Sequence, residues 1–167
     1  DPGDTGTRLN RGNAFRRLGA TTEALSDFNR VLREEPDNAF ARVNRGIVHA
    51  AEGRLGRALE DFTEAARLRP DYAGAHFNRG LILHRLGRAD EAIADLERAL
   101  AEDPEFAEAY YHLGLIHEDR SAWGEALAAY RAYVAQAPAR QRDTVRQTRA
   151  RIERLEAMPA PAGTESP

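Results

Sequence analysis

Residues 39–72 read AFARVNRGIVHAAEGRLGRALEDFTEAARLRPDY, and this stretch decides the fold because its pattern recurs every 34 residues. Four kinds of residue repeat at that spacing: a proline, a glycine, an alanine and a bulky side chain. The series are Pro2, Pro36, Pro70, Pro104 and Pro138; Gly12, Gly46, Gly80 and Gly114; Ala24, Ala58, Ala92 and Ala126; and Phe28, Phe62, Leu96 and Tyr130. A fixed period of this length predicts tandem structural repeats rather than one central core.

Each unit of the repeat predicts two helices. In the quoted stretch, apolar residues from Ala41 to Ala51 recur at helical spacing, Gly53 interrupts them, and the pattern resumes at Ala58 until Pro70 ends it. Proline ends a helix because it lacks the backbone N–H and restrains the residue before it. Since no long stretch alternates between apolar and polar residues, the sequence predicts an all-α protein.

The four recurring positions resemble the tetratricopeptide repeat, a helix-turn-helix unit with a small residue, alanine, an aromatic residue and proline at these places. The resemblance implies a right-handed α-solenoid with four repeats, at residues 5–38, 39–72, 73–106 and 107–140. The chain departs from the family pattern where a tryptophan and a leucine are usual. The tryptophan position holds Arg8, Arg42, His76 and Tyr110. The leucine position holds Arg11, Arg45 and Arg79 in the first three repeats and keeps its leucine, Leu113, in the fourth.

The mid-helix glycines predict close contact between the two helices of each repeat. Glycine inside a helix costs about 1 kcal/mol relative to alanine, so a packing contact has to offset it. We expect the alanine series to face each glycine, with the bulky series from Phe28 to Tyr130 filling the gap beside it.

An arginine and an aspartate vary together among the repeats. The first three repeats have the pairs Arg11 and Asp27, Arg45 and Asp61, and Arg79 and Asp95, whereas the fourth has Leu113 and Ala129. We therefore expect an ion pair between the two helices of each of the first three repeats, replaced by apolar contact in the fourth. The alternative is that these charges are solvated and unpaired.

The pattern changes after residue 140, where residues 141–158 predict one amphipathic helix. Its apolar positions recur every three or four residues at Val145, Thr148, Ile152, Leu155 and Met158. We expect this helix to cap the end of the repeat stack, with docking of a partner or of a second copy as the alternative. Residues 1–4 and 159–167 are expected to be disordered, the latter being rich in Pro, Ala, Gly, Ser and Thr.

The resemblance implies that a peptide-binding groove is lined by the first helix of each repeat. The candidate groove residues are Asn10, Asn13, Arg16, Arg17, Phe40, Val43, Asn44, Ile47, Phe77, Asn78, Leu81, Arg85, Tyr111, His112 and Leu115. The groove is expected to be apolar at its middle, basic toward the first repeat and acidic toward the fourth, where Glu108, Glu118 and Asp119 lie.

One groove position forms a series of amides, Asn10, Asn44 and Asn78, with His112 in the fourth repeat. An amide offers a donor and an acceptor, so regularly spaced amides can bind the backbone of an extended peptide. The series resembles the asparagine ladder of O-linked N-acetylglucosamine transferase, of which three rungs match. Alternatively, asparagine merely suits an exposed helical site.

Aromatic residues beside this series favour binding, because aromatic side chains often anchor interfaces. They are Phe40, Phe77 and Tyr111, and packing between repeats is the alternative role. The carboxylate clamp of chaperone cofactors is disfavoured, since Leu9, Gly74 and Asn78 stand where the resemblance would require cations. Two other clamp positions do match, at Asn13 and Asn44.

Composition and motifs argue against other classes of function. The net charge of −3 lacks the basic excess that nucleic-acid binding needs, and the charged residues leave no span for membrane insertion. The absence of cysteine excludes disulfides and thiolate metal sites. His112 and His117 are five residues apart, which does not match a helical zinc pair. We expect no enzyme activity, no cofactor and no metal.

The sequence therefore predicts a non-catalytic protein–protein interaction module that binds an extended or helical peptide segment and acts as an adaptor, scaffold or assembly factor. One alternative is self-association into a homo-oligomer through the ends or the C-terminal helix, and another is a recognition domain of a larger enzyme or secretion complex. The lysine-free, alanine-rich composition is typical of a GC-rich bacterial genome. The start at Asp1 is expected of a trimmed product, and the resemblance slightly favours the bacterial periplasm over the cytoplasm.

Overall fold

The computed structural model describes residues 4–158 of the chain. Over this range the regular structure consists of nine α-helices and a 3₁₀ turn at Ala139–Gln141, which confirms the all-α prediction there. The helices are α1 (Thr5–Arg17), α2 (Thr21–Glu34), α3 (Ala39–Ala51), α4 (Leu55–Leu68), α5 (Ala73–Arg85), α6 (Ala89–Glu102), α7 (Ala107–Asp119), α8 (Trp123–Gln136) and α9 (Arg142–Glu156). In this part of the chain, no helix combines the length and the apolar character needed to cross a membrane.

The described residues form two compact units, one ending at Pro104 and one beginning at Glu105. The first unit contains the helix pairs α1–α2, α3–α4 and α5–α6, and each pair packs against the next. The second unit contains the pair α7–α8, with α9 packed on α8.

Turn chemistry sets the helix ends. The first helices of the first three repeats are followed by Gly19, Gly53 and Gly87 at φ of +75°, +74° and +76°, a conformation that glycine adopts without strain. The Asp4 side chain caps α1 by accepting a hydrogen bond from the Thr7 N–H at 3.1 Å. Asp4 therefore belongs to the end of α1, whereas residues 1–3 and 159–167, for which disorder was expected, lie outside the described part.

The mid-helix glycines lie against the bulky residues of their partner helices, which confirms the expected close contact. A Cβ added at Gly12 or Gly46 would come within 2.7 Å of the Phe28 or Phe62 ring. At Gly114 it would overlap the Tyr130 ring. The bulky side chains, rather than the alanines, thus fill most of the space that the missing side chains leave.

The expected arginine–aspartate pairs join the two helices in the first three repeats. Arg11 donates from Nε and Nη2 to Asp27 at 2.8 and 2.7 Å, and Arg79 donates to Asp95 at 2.6 Å through both nitrogens. Arg45 and Asp61 form the same arrangement. In the fourth repeat Leu113 and Ala129 are buried, as expected for apolar contact.

The C-terminal helix belongs to the core of the second unit. Its Leu155 is buried in a cluster with Ala126 and Tyr130, and Ile152 packs against the same cluster. Thr148 is fully buried and its hydroxyl donates to the Thr144 carbonyl at 2.8 Å, so it needs no partner from another helix. Residues 142–156 thus form an amphipathic helix with Leu155 and Ile152 inward, shorter than the predicted 141–158, and Met158 lies beyond its end and is exposed.

Candidate functional site

The candidate site of the first unit is the surface formed by α1, α3 and α5, called here the first-helix face. Short turns make successive helices antiparallel, so alternate helices run in the same direction. α3 contacts both α1 and α5. The three first helices therefore lie side by side and present equivalent positions in rows.

Most candidate residues of this unit reach the surface of that face. Phe40 is 43% exposed, and Asn10, Arg17 and Arg85 are exposed as well. Six further candidates are partly exposed: Asn13, Arg16, Asn44, Ile47, Phe77 and Asn78. Leu81 is partly exposed too.

Val43, one of the predicted groove residues, is buried rather than exposed. It is only 3% exposed and belongs to a core cluster with Ala58 and Phe62, which lie on α4. Helical spacing alone places Val43 on the same side as Asn44 and Ile47, but contact with α4 covers it. A ligand on the first-helix face cannot reach this side chain.

The amide series is oriented by the helices that carry it. Asn44 Nδ2 donates to the Phe40 carbonyl at 2.8 Å, and Asn78 Nδ2 donates to the Gly74 carbonyl at 2.7 Å. Each amide thereby uses one N–H within its own helix and retains a second N–H and its oxygen. The back-bond holds two of the three rungs in the same orientation relative to their helices.

Sequence reasoning missed an aromatic corner at the start of α3, formed by Phe40, Tyr72 and Arg69. The Phe40 and Tyr72 ring centroids are 5.0 Å apart, and the Arg69 guanidinium carbon lies 5.1 Å from the Phe40 centroid. A Cβ at Gly74 would come within 2.9 Å of the Tyr72 ring, so glycine allows Tyr72 to lie over α5. Burial raises the pKa of Tyr72, although the Arg69 charge opposes this. The glycine in the first turn of α5 was the available signal.

Some buried polar atoms of α1, α3 and α5 lack hydrogen-bond partners in the described residues. On α1 they are Asn13 Oδ1 and Arg16 Nε, and both are shielded from solvent; Arg42 Nε and His49 Nδ1 on α3 and His76 Nδ1 on α5 are in the same situation. A buried polar atom without a partner is unfavourable, so this part of the face has polar groups left to satisfy.

In the second unit, two of the predicted groove residues pack within the protein. The Tyr111 ring centroid lies 5.2 Å from that of Tyr133 and 6.2 Å from that of Tyr130. Leu115 packs against the cluster that contains Leu155. Tyr111 therefore has the packing role that the sequence left open, while His112 lies edge-on to it with centroids 5.5 Å apart.

Two carboxylates expected at the acidic end of the groove are bound within the second unit. Glu118 accepts hydrogen bonds from Tyr130 Oη at 2.6 Å, from Arg151 at 2.7 Å and from Arg154 at 2.6 Å. Gln141 donates to Glu108. The charge of Glu118 is therefore compensated by arginines of the C-terminal helix, which repeat comparison did not place there.

These contacts also set the ionisation of Glu118. Burial alone would raise its pKa, but the hydrogen bonds from Tyr130 and Arg151 and the charges of Arg151 and Arg154 outweigh it and lower the pKa.

Two histidines of the first unit, His76 and His49, have structural surroundings. His76 Nε2 lies 3.0 Å from the Pro70 carbonyl, and its Nδ1 lies 3.7 Å from Asp95. His49 is buried, and burial lowers its pKa. Within residues 4–158, no three side chains of the His, Asp and Glu types gather in a way that would hold a metal ion.

Comparison with known proteins identifies the family. The model of the tetratricopeptide repeat matches residues 9–70, 51–104 and 85–140, which together span most of the chain. The chain therefore belongs to the tetratricopeptide repeat family.

Solved structures agree with this assignment. A thermophilic tetratricopeptide repeat protein of Thermus thermophilus is 25% identical with a TM-score of 0.77, covering 95% of this chain and 84% of that one. MamA is 22% identical with a TM-score of 0.73, covering 91% and 86%. The first repeat domain of Spaghetti (RPAP3), bound to the HSP90 peptide SRMEEVD, is 25% identical with a TM-score of 0.68, covering 72% and 96%. No curated protein matches the chain.

Proposed function

We propose that this protein is a non-catalytic interaction module that binds a peptide segment of a partner protein on its first-helix face and acts as an adaptor, scaffold or assembly factor. The observation that carries the proposal is Phe40, a large aromatic residue that stays 43% exposed beside the oriented amide of Asn44. Exposed aromatic residues with polar neighbours are typical of interface anchors.

The chemistry of the face suits a peptide backbone. Asn44 and Asn78 each retain one N–H and one oxygen, which match the carbonyl and N–H groups of an extended chain. Ile47 and Leu81 provide apolar surface between the amides and the last helical turns. Hydrogen bonds to the peptide backbone would contribute affinity whatever the sequence of the peptide. The aromatic corner would select peptides with a suitable side chain at one position.

Known relatives support a peptide ligand in general rather than one particular peptide. The first repeat domain of Spaghetti holds an HSP90 peptide. In this chain Leu9, Gly74 and Asn78 take places where a carboxylate clamp would need cations, so we do not propose a chaperone tail as the ligand.

The experiment is selection of binders from a random peptide library, followed by hydrogen exchange on the complex. We expect slowed exchange in α3 and α5, and at least about tenfold weaker binding by Phe40→Ala or by Asn44→Ala with Asn78→Ala. Ser26→Ala, exposed on α2, is the control and should bind normally. Circular dichroism checks that the variants are folded. The proposal is contradicted if slowed exchange is confined to the second helices, or if Phe40→Ala and the double asparagine variant both bind with unchanged affinity.

A further inference from the structure

The charges of the first unit are divided between its first and second helices. α1, α3 and α5 carry arginines and contain no aspartate or glutamate. The carboxylates borne by helices of this unit lie on α2, α4 and α6. The first-helix face is therefore basic although the whole chain has a net charge of −3.

Several of these arginines are already paired with carboxylates of the second helices. Arg11, Arg45 and Arg79 are held by Asp27, Asp61 and Asp95, and Arg8 is held by Glu34. Arg42 also lies 4.0 Å from Asp61. The remaining set, Arg16, Arg17 and Arg85, forms no ion pair with any described residue. Three guanidinium groups are therefore left to bind an anion.

These three arginines lie at one edge of the face, called here the arginine edge. Arg16 and Arg17 are in the last turn of α1, and Arg85 ends α5. Because α1, α3 and α5 run in the same direction, their last turns share an edge. Arg85 Nη1 reaches the Ala50 carbonyl of α3 at 3.4 Å, which places it beside the middle helix. α3 ends beside them with the small residues Ala50 and Ala51.

The aromatic corner lies at the opposite end of the same face. Phe40 is the second residue of α3, and Ala50 is ten residues further along that helix. At about 1.5 Å per residue, the two ends are roughly 15 Å apart along the helix axis. An extended peptide rises about 3.3 Å per residue, so roughly five residues span this distance.

We propose, resting on the peptide-binding function above, that the ligand is an acidic peptide segment. It places an aromatic or large aliphatic side chain on the aromatic corner and carboxylates, about five residues away, on the arginine edge. Arginine and carboxylate form charge-assisted hydrogen bonds, and no carboxylate on the three helices competes for these guanidinium groups. Because internal side-chain carboxylates suffice, a free C-terminus is not required.

Fluorescence anisotropy with labelled synthetic peptides tests this inference on the full chain. One peptide carries phenylalanine about five residues from a run of aspartates, its neutral twin has asparagine in place of each aspartate, and both have blocked termini. We expect at least about tenfold tighter binding of the acidic peptide in low salt. Raising sodium chloride from about 50 to about 300 mM should remove most of this preference. Moving the aspartates next to the phenylalanine should weaken binding.

Charge-removing variants identify the arginines responsible. We expect weaker binding of the acidic peptide, and unchanged binding of its neutral twin, in the double variant Arg16→Gln with Arg17→Gln. The same result is expected for Arg85→Gln. Arg33→Gln is the matched control, because Arg33 is also an exposed arginine in the last turn of its helix but lies on α2. Phe40→Ala should weaken the binding of both peptides. Circular dichroism confirms folding in each case.

The outcomes separate this inference from the general peptide-binding function. Equal affinity for the two peptides, with binding still sensitive to Phe40→Ala, overturns the acidic ligand and leaves the general function standing. A single-stranded oligonucleotide that binds through Arg16 and Arg17 more tightly than the acidic peptide overturns the choice of a peptide. Failure of both peptides to bind also overturns the inference, whereas the library selection judges the general function.

Discussion

Arg45 and Asp61 join the two helices of the second repeat through two hydrogen bonds, Nε to Oδ2 at 2.9 Å and Nη2 to Oδ1 at 2.6 Å. The remaining guanidinium nitrogen, Nη1, donates to Asn29 Oδ1 on the preceding repeat at 2.8 Å. One arginine therefore links both helices of its own repeat to the repeat before it. The Asp61 side chain is 5% exposed and that of Arg45 is 23% exposed, so solvent screens this pair only in part.

Asp61→Ala should lower the free energy of unfolding by about 1–3 kcal/mol. An exposed ion pair contributes only about 0–1 kcal/mol to stability. Losing one partner of a buried pair costs more, because the remaining charge, here that of Arg45, is left without compensation. We expect a cost between these two cases. Chemical denaturation followed by circular dichroism measures it. Asp27→Ala should cost less, since the Arg11 side chain is 53% exposed and can be hydrated.

The fourth repeat provides a further control for that pair. Arg45→Leu combined with Asp61→Ala copies Leu113 and Ala129, so the double variant should be more stable than Asp61→Ala alone. A single variant as stable as the parent would show that the pair contributes nothing.

Gly46→Ala should destabilise the protein by about 1–3 kcal/mol, despite the higher helix propensity of alanine. The new Cβ would lie 2.7 Å from the Phe62 ring, which is fully packed and has little room to move. Thermal melts measure the effect. Gly56→Ala is the control, because no atom lies within 4 Å of a Cβ there and alanine should be neutral or stabilising. A gain in stability at residue 46 would contradict the close packing.

Glu118→Gln should make the stability of the second unit less sensitive to acid. The folded-state pKa of Glu118 lies below its ordinary value of 4.5, so ionised Glu118 stabilises the fold above that pH. This contribution is lost as the pH falls through the lowered folded-state pKa. Melting temperatures measured from neutral pH downward should show parent and variant differing near pH 7 and converging in acid. A constant difference at every pH would exclude the ionised contacts with Arg151 and Arg154.

Leu155→Ala should loosen α9, at a cost of up to about 2–5 kcal/mol, because Leu155 is buried against Ala126 and Tyr130. Trp123, the sole tryptophan of the chain, packs against the same cluster and reports the change. Its fluorescence should shift to longer wavelength in the variant. Glu153→Ala, exposed on the same helix, should leave the emission unchanged.

Much of the fold could be predicted from the sequence, because the same helix pair occurs four times and the equivalent positions can be compared. Covariation of Arg45 and Asp61 with their counterparts was enough to predict an ion pair, since the fourth repeat changes both residues together. The glycine series likewise predicted close helix contact. Local signals of this kind depend on residues within one repeat, where the 34-residue period fixes the neighbours.

The candidate site was less predictable, because access depends on what covers each side chain. Val43 shares the helical spacing of Asn44, yet α4 buries it. Glu118 belongs to the repeat pattern, yet its partners Arg151 and Arg154 lie outside the repeats. The aromatic corner depends on Tyr72 and Arg69, which lie beyond the end of α4 and in no predicted helix face.

By itself, the sequence determined the repeat architecture, the helix pairs, the glycine contacts and the arginine–aspartate pairs, since each follows from spacing along the chain. Only the tertiary structure decided which charges remain unpaired and which apolar residues remain exposed. That difference has a physical cause: periodicity fixes the direction of a side chain on its own helix, whereas burial and ion pairing depend on the neighbouring helix that it meets. The spacing of Arg45 and Asp61 was enough to predict their ion pair, whereas only the tertiary structure showed that Glu118 is held by Arg151 and Arg154.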